Sequence, residues 1–324
     1  MNLLRRHAMV QAFVPIVLHR GGQALAVSLL VGTLSFLMLL WLPGDFAYRV
    51  AAGRYGYDLV TAEAAEAVRR ELGLDAPWFV ALALWWEQLL HLDLGASWVT
   101  GAPVIAEIRH QLGHTLMLAG AALGMSLLVA LPLGLAAGLR PGGWADRLGL
   151  LLSVVLRALP PFLLGLLLVI LFVGADLPAA GHGSAANLFL PALTLALGLA
   201  ASSSRVIREA TRQVLSSEYY QFALTKGLSP ARAVWRHALR NAALPVVSYL
   251  GVQLAFVIEG VVILETLFAW PGIGHALVHA VFWRDVPMIQ GTCLLLALCF
   301  VTLNTAIDLV CLALDPRRRI GVWS

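Results

Sequence analysis

Long apolar stretches joined by polar links are the feature that most restricts how this chain can fold. Of its 324 residues, 60% are hydrophobic and only 12% are charged, whereas soluble domains average about 25% charged residues. So few charges cannot cover the surface of a soluble protein of this size. A membrane-spanning helix needs about 20 largely apolar residues, and several stretches provide them. The chain is therefore predicted to be an all-α membrane protein.

Six segments are predicted to be transmembrane helices. The third carries Pro160-Pro161 inside it, and the fifth has Pro245 in its first turn, where proline is tolerated. A helix is also predicted outside the membrane, where Thr61 can cap a stretch that runs to Leu72. The six predicted spans are residues 24–42, 115–139, 148–173, 188–204, 242–264 and 288–314.

The distribution of basic residues predicts the orientation of the spans. Fifteen Lys and Arg residues fall on the side of the N-terminus and six on the other, while Arg157 lies inside the third span. Because basic residues accumulate in cytoplasmic loops, both termini are predicted to be cytoplasmic. The predicted parts are a cytoplasmic segment 1–23, a six-span domain 24–314 with a periplasmic loop 43–114, a cytoplasmic loop 205–241 and an outer loop 265–287, and a cytoplasmic tail 315–324.

Neither the cysteines nor the histidines define a metal site. The cysteines lie in one apolar stretch without the spacing of metal ligands, and we expect them to be reduced. Two histidine pairs have a spacing of four residues, which can serve a metal, but the sequence places no third ligand beside either pair. These residues are Cys293, Cys299, Cys311, His110, His114, His275 and His279.

The segment 217–229 of the cytoplasmic loop is predicted to be a short helix. Gly227 can adopt the left-handed conformation that ends a helix, and a second helical piece follows before the chain re-enters the membrane near Pro245. Tyr220, Phe222 and Ala223 offer an apolar docking surface. From periodicity alone, an ordinary basic loop fits this segment equally well.

This loop resembles the EAA coupling loop of ABC importer permeases, and it is closest to the dipeptide, oligopeptide and nickel branch. That branch reads D/E-Y-I-x-T-A-R-A-K-G-L, followed by H-A-L-R-N-A-x-L-P. Phe222, Leu224 and Thr225 depart from it, so the helix surface could suit a particular ATPase. The matching residues are Tyr219, Ala223, Lys226, Gly227, Leu228, the run 237–242 and Leu244-Pro245.

Further motifs of the same branch, of its B-type subunit in particular, follow in family order along nearly the whole chain. They resemble P-G-D-P, L-G-L-D-x-P, D-L-G-x-S, E-T-I-F-x-W-P-G-L-G, R-D-Y-P with Q-G, and N-P-R, where Asp315 replaces the usual Asn. The corresponding positions are 43–45, 71–75, 93–97, 265–274, 284–287 with 290–291, and 315–317.

The resemblance implies a type I ABC importer-like permease in the bacterial inner membrane. Such a subunit forms half of the translocation pathway for peptides or small chelates, including nickel complexes and metallophores. The partners expected are a second homologous permease, two ATP-binding subunits, a periplasmic or extracellular substrate-binding protein and membrane lipid, but no nucleic acid. The chain has no GxxxxGK[ST] loop, so it is expected to bind no cofactor, with ATP and Mg on the partner subunits.

The resemblance also implies two groups of functional residues. Those expected to couple the permease to the ATPase are Glu218, Tyr219, Ala223, Lys226 and Gly227. Those expected at the outer gate or in contact with the binding protein are Glu265, Trp270, Pro271, Gly272 and Gly274. A plain re-entrant turn stabilised by proline and glycine is an equal alternative for the second group.

Two charges fall inside predicted spans, Arg157 in the third and Glu259 in the fifth. A charge at the centre of a span costs at least about 2.5 kcal/mol on insertion scales, so it should face a partner or a watery path. We expect both residues to line the translocation pathway, where they could pair. Alternatively, Arg157 extends to the cytoplasmic interface and Glu259 makes a structural hydrogen bond.

An ion-coupled secondary transporter is the alternative function. It would need inverted repeats and a site for the coupling ion, and the sequence shows neither. It would also leave the coupling-type loop unexplained.

Overall fold

The structure, a computed structural model, describes residues 2–41, 43–172, 181, 183–184, 186–234 and 239–314. Most of these residues are in helices. No strand occurs in these residues, in which an isolated β-bridge joins Ala96 to Pro103. The helices are α1 Asn2–Leu40, α2 Phe46–Tyr55, α3 Ala62–Glu71, α4 Trp78–Leu90, α5 Val104–Leu139, α6 Trp144–Ala158, α7 Pro161–Phe172, α8 Ala186–Leu215, α9 Glu218–Thr225, α10 Pro230–Ala233, α11 Leu239–Leu267, α12 Ile273–Trp283 and α13 Val286–Leu314, with a 3-10 turn at Tyr57–Leu59.

Four helices in the described part are apolar and long enough to cross a membrane. They are Val17–Met38 of α1, all of α5, all of α8 and Val286–Ala313 of α13, and they coincide with the first, second, fourth and sixth predicted spans. Helix α11, 29 residues long, covers the fifth, although several of its side chains lie outside the described part. The predicted fold class, an all-α membrane protein, is confirmed.

The third predicted span differs from the structure because it is broken. Helices α6 and α7 are both apolar but meet at an angle of 104°. Leu159 between them is extended, with φ −92° and ψ 128°, as the residue before a proline prefers. Pro161 then begins α7, where its missing N–H costs nothing. The two helices form either one broken span or a re-entrant loop.

Helix α1 begins well before residue 24, where the first predicted span starts. It runs from Asn2 to Leu40 without interruption. The predicted tail 315–324 lies outside the described residues. The assignment of both ends to the cytoplasm stays a prediction.

The first of two compact units comprises residues 117–268 with the segments 1–18 and 302–324. Inside it, α8 packs against α6, α7 and α11. Helix α5 approaches α8 closely, because a Cβ atom added at Gly134 or Gly138 would lie only 2.7 or 2.6 Å from the nearest α8 atom. Small residues four apart are a common means of bringing membrane helices together.

The second unit comprises residues 19–116 and 269–301. Its larger apolar core joins α1, α5, α12 and α13 around Phe36, Ile108 and Ile273. A smaller core joins α2 to α3. Thr61 caps α3 by accepting a bond from the amide of Ala64 at 3.2 Å, so the helix predicted for this stretch is confirmed.

Ion pairs tie the polar faces of α2 and α3 in the same unit. Arg54 contacts Glu71 at 2.7 Å and Arg69 contacts Asp45 at 2.8 Å. The hydrogen bond from Arg54 lowers the pKa of the Glu71 carboxyl. The same bond raises the pKa of Arg54. Both pairs are largely exposed, so each contributes at most about 1 kcal/mol.

Candidate functional site

Helix α9 contains most of the predicted coupling residues, and backbone hydrogen bonds define both of its ends. Ser217 precedes the helix in extended conformation. At the other end, the amide of Leu228 donates to Ala223 O at 3.2 Å and that of Gly227 donates to Leu224 O at 2.9 Å. With Gly227 at φ +86°, these two bonds form a Schellman motif. The predicted stop at Gly227 is confirmed.

One side of α9 is buried and the other is exposed. Tyr220 and Ala223 are buried, so they attach the helix to the rest of the chain. Glu218, Tyr219 and Lys226 are exposed. Phe222 is 60% exposed and lies beneath the Lys226 ammonium, which is 4.6 Å from the centre of its ring. Two aromatic rings thus face outward beside opposite charges, a combination suited to a protein partner.

An ion pair fixes the end of α8 that leads into α9. Asp146 at the start of α6 accepts bonds from Nε and Nη2 of Arg208 at 2.5 and 2.9 Å, and from the amide of Gly142 at 2.9 Å. Arg205, one turn earlier on α8, lies 3.5 Å from the same carboxylate. The carboxylate therefore joins α6 to α8 two turns before α8 ends at Leu215. The contact could not be predicted from the sequence, since 62 residues separate the partners.

Residues 265–274, predicted to lie at the outer gate, form the end of α11, a turn and the start of α12. Glu265 and Trp270 are both fully buried. The indole Nε1 of Trp270 donates to His114 O at 3.0 Å, and the Ile273 amide donates to Thr115 Oγ1 at 2.8 Å. Both bonds fix the turn against α5. In this conformation, the buried Trp270 side chain therefore supports the turn from inside.

The small residues of this group shape the turn. Gly272 and Gly274 are buried and Pro271 is half-buried, and the Gly272 amide donates to Trp270 O at 2.7 Å. Gly272 also precedes α12 in extended conformation. The exposed residues of the segment are Thr266, Leu267 and Ala269, and Ala269 is left-handed with φ +48°.

Three motifs that are far apart in sequence meet around Arg284 and Asp285. Arg284 donates to the carbonyl oxygens of Pro43 and Gly44, the latter at 2.9 Å, and its guanidinium lies 4.7 Å from the centre of the Phe46 ring. Burial, with repulsion from Arg49, lowers the pKa of this guanidinium.

Asp285, the next residue, makes the remaining contacts between these motifs. Its carboxylate accepts bonds from the Ser97 hydroxyl and from the Trp98 amide, the latter at 3.0 Å. The motifs at 43–45, 93–97 and 284–287 are therefore one structural junction of the second unit. The sequence showed each motif but not that they touch.

Three of the four paired histidines line one cavity of about 380 Å³ in the second unit, together with Glu107. The rings of His275 and His279 lie 4.6 Å apart. Burial and the charge of His279 lower the pKa of His275. Within the described residues, no three His, Cys, Asp or Glu side chains have an arrangement that could hold a metal ion. The third histidine of the cavity is His110.

Arg157 is placed at the break between α6 and α7. It is exposed and lines a cavity of about 280 Å³ together with Thr194, Gly198 and Val257. Glu259 is two residues beyond Val257 on α11, but its side chain lies outside the described part of the chain. The expected proximity of the two charges therefore stays a prediction.

The fold is that of type I ABC importer permeases. It is similar to that of an inward-facing MetNI methionine ABC transporter, with a TM-score of 0.55 and 15% identity, covering 64% of this chain and 96% of that one. A crystal structure of an amino acid ABC transporter with histidines matches with a TM-score of 0.52 at 15% identity, covering 64% and 93%.

The sequence comparison defines the family. Residues 130–320 match the model of the binding-protein-dependent transport system inner membrane component, and the chain belongs to this family. It is 36% identical over 297 residues to the glutathione transport system permease protein GsiC of Salmonella typhimurium, covering 90% of this chain and 94% of that protein. A putative peptide transport system permease protein of Brucella abortus is 35% identical over 314 residues, covering 94% and 98%.

Proposed function

We propose that this permease is one of two homologous subunits that form the pathway of an ABC importer for short peptides. The observation that carries the proposal is α9, whose Schellman cap and buried Tyr220 hold Tyr219, Phe222 and Lys226 toward a partner. That partner is an ATP-binding subunit. ATP and Mg bind there, and closure of the ATP-binding subunits moves α9 and reorients the pathway.

The orientation follows from charge. With fifteen basic residues on the side of the N-terminus, α9 faces the cytoplasm and the second unit's α2, α3 and α12 face the periplasm. A periplasmic binding protein delivers substrate to that outer side. The fixed turn around Trp270 and the junction around Asp285 support the surface on which it docks.

Peptides of about three residues are the substrate class best supported. The relatives that match over nearly their whole length are named as glutathione and peptide permeases. Nickel complexes and metallophores have no such support. Arg157 at the α6–α7 break provides a positive charge that can bind the carboxylate end of a zwitterionic peptide. Glu259 provides the opposite charge.

Association with the ATP-binding subunit tests the role of α9. Phe222→Glu should abolish co-purification of that subunit and ATP-dependent uptake of a tripeptide into proteoliposomes. The melting temperature of the permease should not change, because Phe222 is exposed. Ala231→Glu, on the neighbouring helix α10 and also exposed, is the matched control. Full association and uptake by Phe222→Glu would refute the coupling role.

A second measurement distinguishes the importer from the alternative function, an ion-coupled secondary transporter. If the chain alone accumulated solute on an ion gradient without ATP, a secondary transporter would be the correct assignment. Gly227→Pro should prevent coupling in the assembled importer, because it removes the amide that donates to Leu224.

A further inference from the structure

Helix α4, Trp78–Leu90, is an apolar helix that the proposed function leaves unexplained. Its sequence is WFVALALWWEQLL. Thirteen residues make a helix about 20 Å long, which is too short to cross about 30 Å of hydrocarbon. A helix of this composition is either buried in protein or in contact with lipid.

The exposure of its side chains shows that α4 is not buried in the chain. Phe79 is 58% exposed, Leu84 is 54% exposed and Val80 is 38% exposed, whereas Trp85 is buried. A helix on a water-facing surface turns polar residues outward. The outward side of α4 is instead apolar over its first two turns, and its polar residues Glu87 and Gln88 follow only in the last.

The packing of α4 against α1 fixes its level relative to the membrane. A Cβ atom added at Gly32 of α1 would lie 2.2 Å from the ring of Trp85, so the two helices are in close contact. Phe36 of α1 and Trp78 line the same cavity of about 480 Å³. Helix α1 ends at Leu40. At 1.5 Å per residue, Gly32 lies about 12 Å before that end and Phe36 about 6 Å before it.

This level is that of the interface between water and hydrocarbon. Interfacial helices lie with their apolar side about 5–10 Å into the headgroup and acyl boundary. Tryptophan is enriched there, and α4 contains Trp78, Trp85 and Trp86. The outward side of α1 at the same level is apolar too, since Leu30 and Leu34 are both exposed. The outward sides of α1 and α4 are therefore both apolar at this level.

We propose that α4 is an interfacial membrane helix whose partner is lipid, at the membrane surface where α1 ends. Phe79, Val80 and Leu84 contact acyl chains. The helix anchors the polar pair α2 and α3, which precedes it in the chain, to the bilayer surface. This proposal does not depend on the transport function.

Spin labels with collision reagents test the proposal in the full chain, assembled with its partner subunits in nanodiscs of phosphatidylethanolamine and phosphatidylglycerol. Cys293, Cys299 and Cys311 are first replaced by alanine. Single cysteines are then introduced by Phe79→Cys and Leu84→Cys. The matched controls are Leu30→Cys on α1 for lipid and Glu63→Cys on exposed α3 for water.

Oxygen should increase the relaxation rate of the labels at 79 and 84 severalfold more than nickel-EDDA does, and the label at 30 should behave in the same way. For the label at 63, nickel-EDDA should have the larger effect. Relaxation by nickel-EDDA at 79 and 84 would show water on this surface and overturn the proposal. Access by neither reagent would show a protein cover, such as the second permease, and would overturn it too.

A crosslinking measurement keeps the native cysteines in place and so does not depend on the alanine background. Leu84 is replaced by the photoreactive residue benzoylphenylalanine. Adducts of lipid mass support the proposal. Adducts to a protein subunit refute it.

Discussion

The conformation of Gly227 determines how α9 ends. Its φ of +86° is left-handed, and an L side chain there costs about 1 kcal/mol. No atom lies within 4 Å of an added Cβ, so this cost is one of backbone conformation alone. We expect Gly227→Ala to weaken binding of the ATP-binding subunit by about fivefold, measured by titration in nanodiscs, while α9 remains in place.

Gly124→Ala is the control for that prediction. Gly124 lies within α5 and also has open space around it, but its helical conformation suits alanine. Binding should be unchanged. Equal loss in both variants would show that the left-handed cap of α9 has no part in coupling.

Asp285 should be among the most sensitive single positions of the second unit. Asp285→Ala leaves the buried Ser97 hydroxyl and the Trp98 amide without their acceptor, which costs about 2–3 kcal/mol. The melting temperature from tryptophan fluorescence should fall by several degrees. Exposed Asp75 on the same unit provides the control Asp75→Ala, which should change it little. An unchanged melting temperature in Asp285→Ala would contradict the role of the junction.

At the scale of helices, Gly134 and Gly138 control the packing of α5 on α8. An added Cβ at Gly134 would meet Ser204 O at 2.7 Å, and a backbone atom cannot move aside as a side chain can. Gly134→Ala should therefore destabilise the permease by about 1–3 kcal/mol. Gly124→Ala on the same helix should be neutral or stabilising. Thermal unfolding of both variants distinguishes close packing from a general effect of helix propensity.

The Asp146–Arg208 pair should affect both stability and coupling. Asp146→Asn weakens two charge-assisted bonds between α6 and α8, at a cost on the order of 2 kcal/mol. Because α8 leads into α9, ATPase stimulation by substrate should fall more than ATPase binding does. The control Glu209→Gln alters only exposed contacts of Glu209, to the same arginine at 3.5 Å and to Gln213 at 3.3 Å. Equal stimulation in both variants would show that the pair is structural only.

For the whole molecule, the structural features that were predicted correctly are those determined by residues close together in the sequence. The long apolar helices and the caps at Thr61 and Gly227 follow from neighbouring residues, so they were predicted correctly. The angle at Pro160-Pro161 was missed, because hydropathy counts apolar length and ignores direction. Helix α4 was missed because its thirteen apolar residues are fewer than a membrane span requires, so a search for spans passes over it.

Contacts between distant segments could not be predicted from one sequence. Asp146 and Arg208 each look like an ordinary charge beside a membrane, and only the fold brings them within 2.5 Å. Likewise, the proline-glycine and arginine-aspartate motifs were recognised as family features, but the bond from Arg284 to Gly44 needed the structure. Local patterns thus predicted the elements, and packing determined the junctions.

The charge at Arg157 provides a test of how the assembled importer selects its cargo, on the basis of the proposed function. The guanidinium lies where α6, α8 and α11 enclose a cavity, so a peptide carboxylate there would gain a charge-assisted hydrogen bond. Losing that bond costs about 1.5 kcal/mol or more, roughly tenfold in affinity.

Arg157→Gln should therefore raise the KM for uptake of a tripeptide about tenfold in proteoliposomes, and Arg157→Lys should restore part of it. The same peptide with an amidated C-terminus should show no change. Arg147→Gln, an exposed position earlier on α6, should leave both substrates unaffected. An equal rise in KM for the acid and the amide would mean that Arg157 supports the α6–α7 break rather than binding cargo.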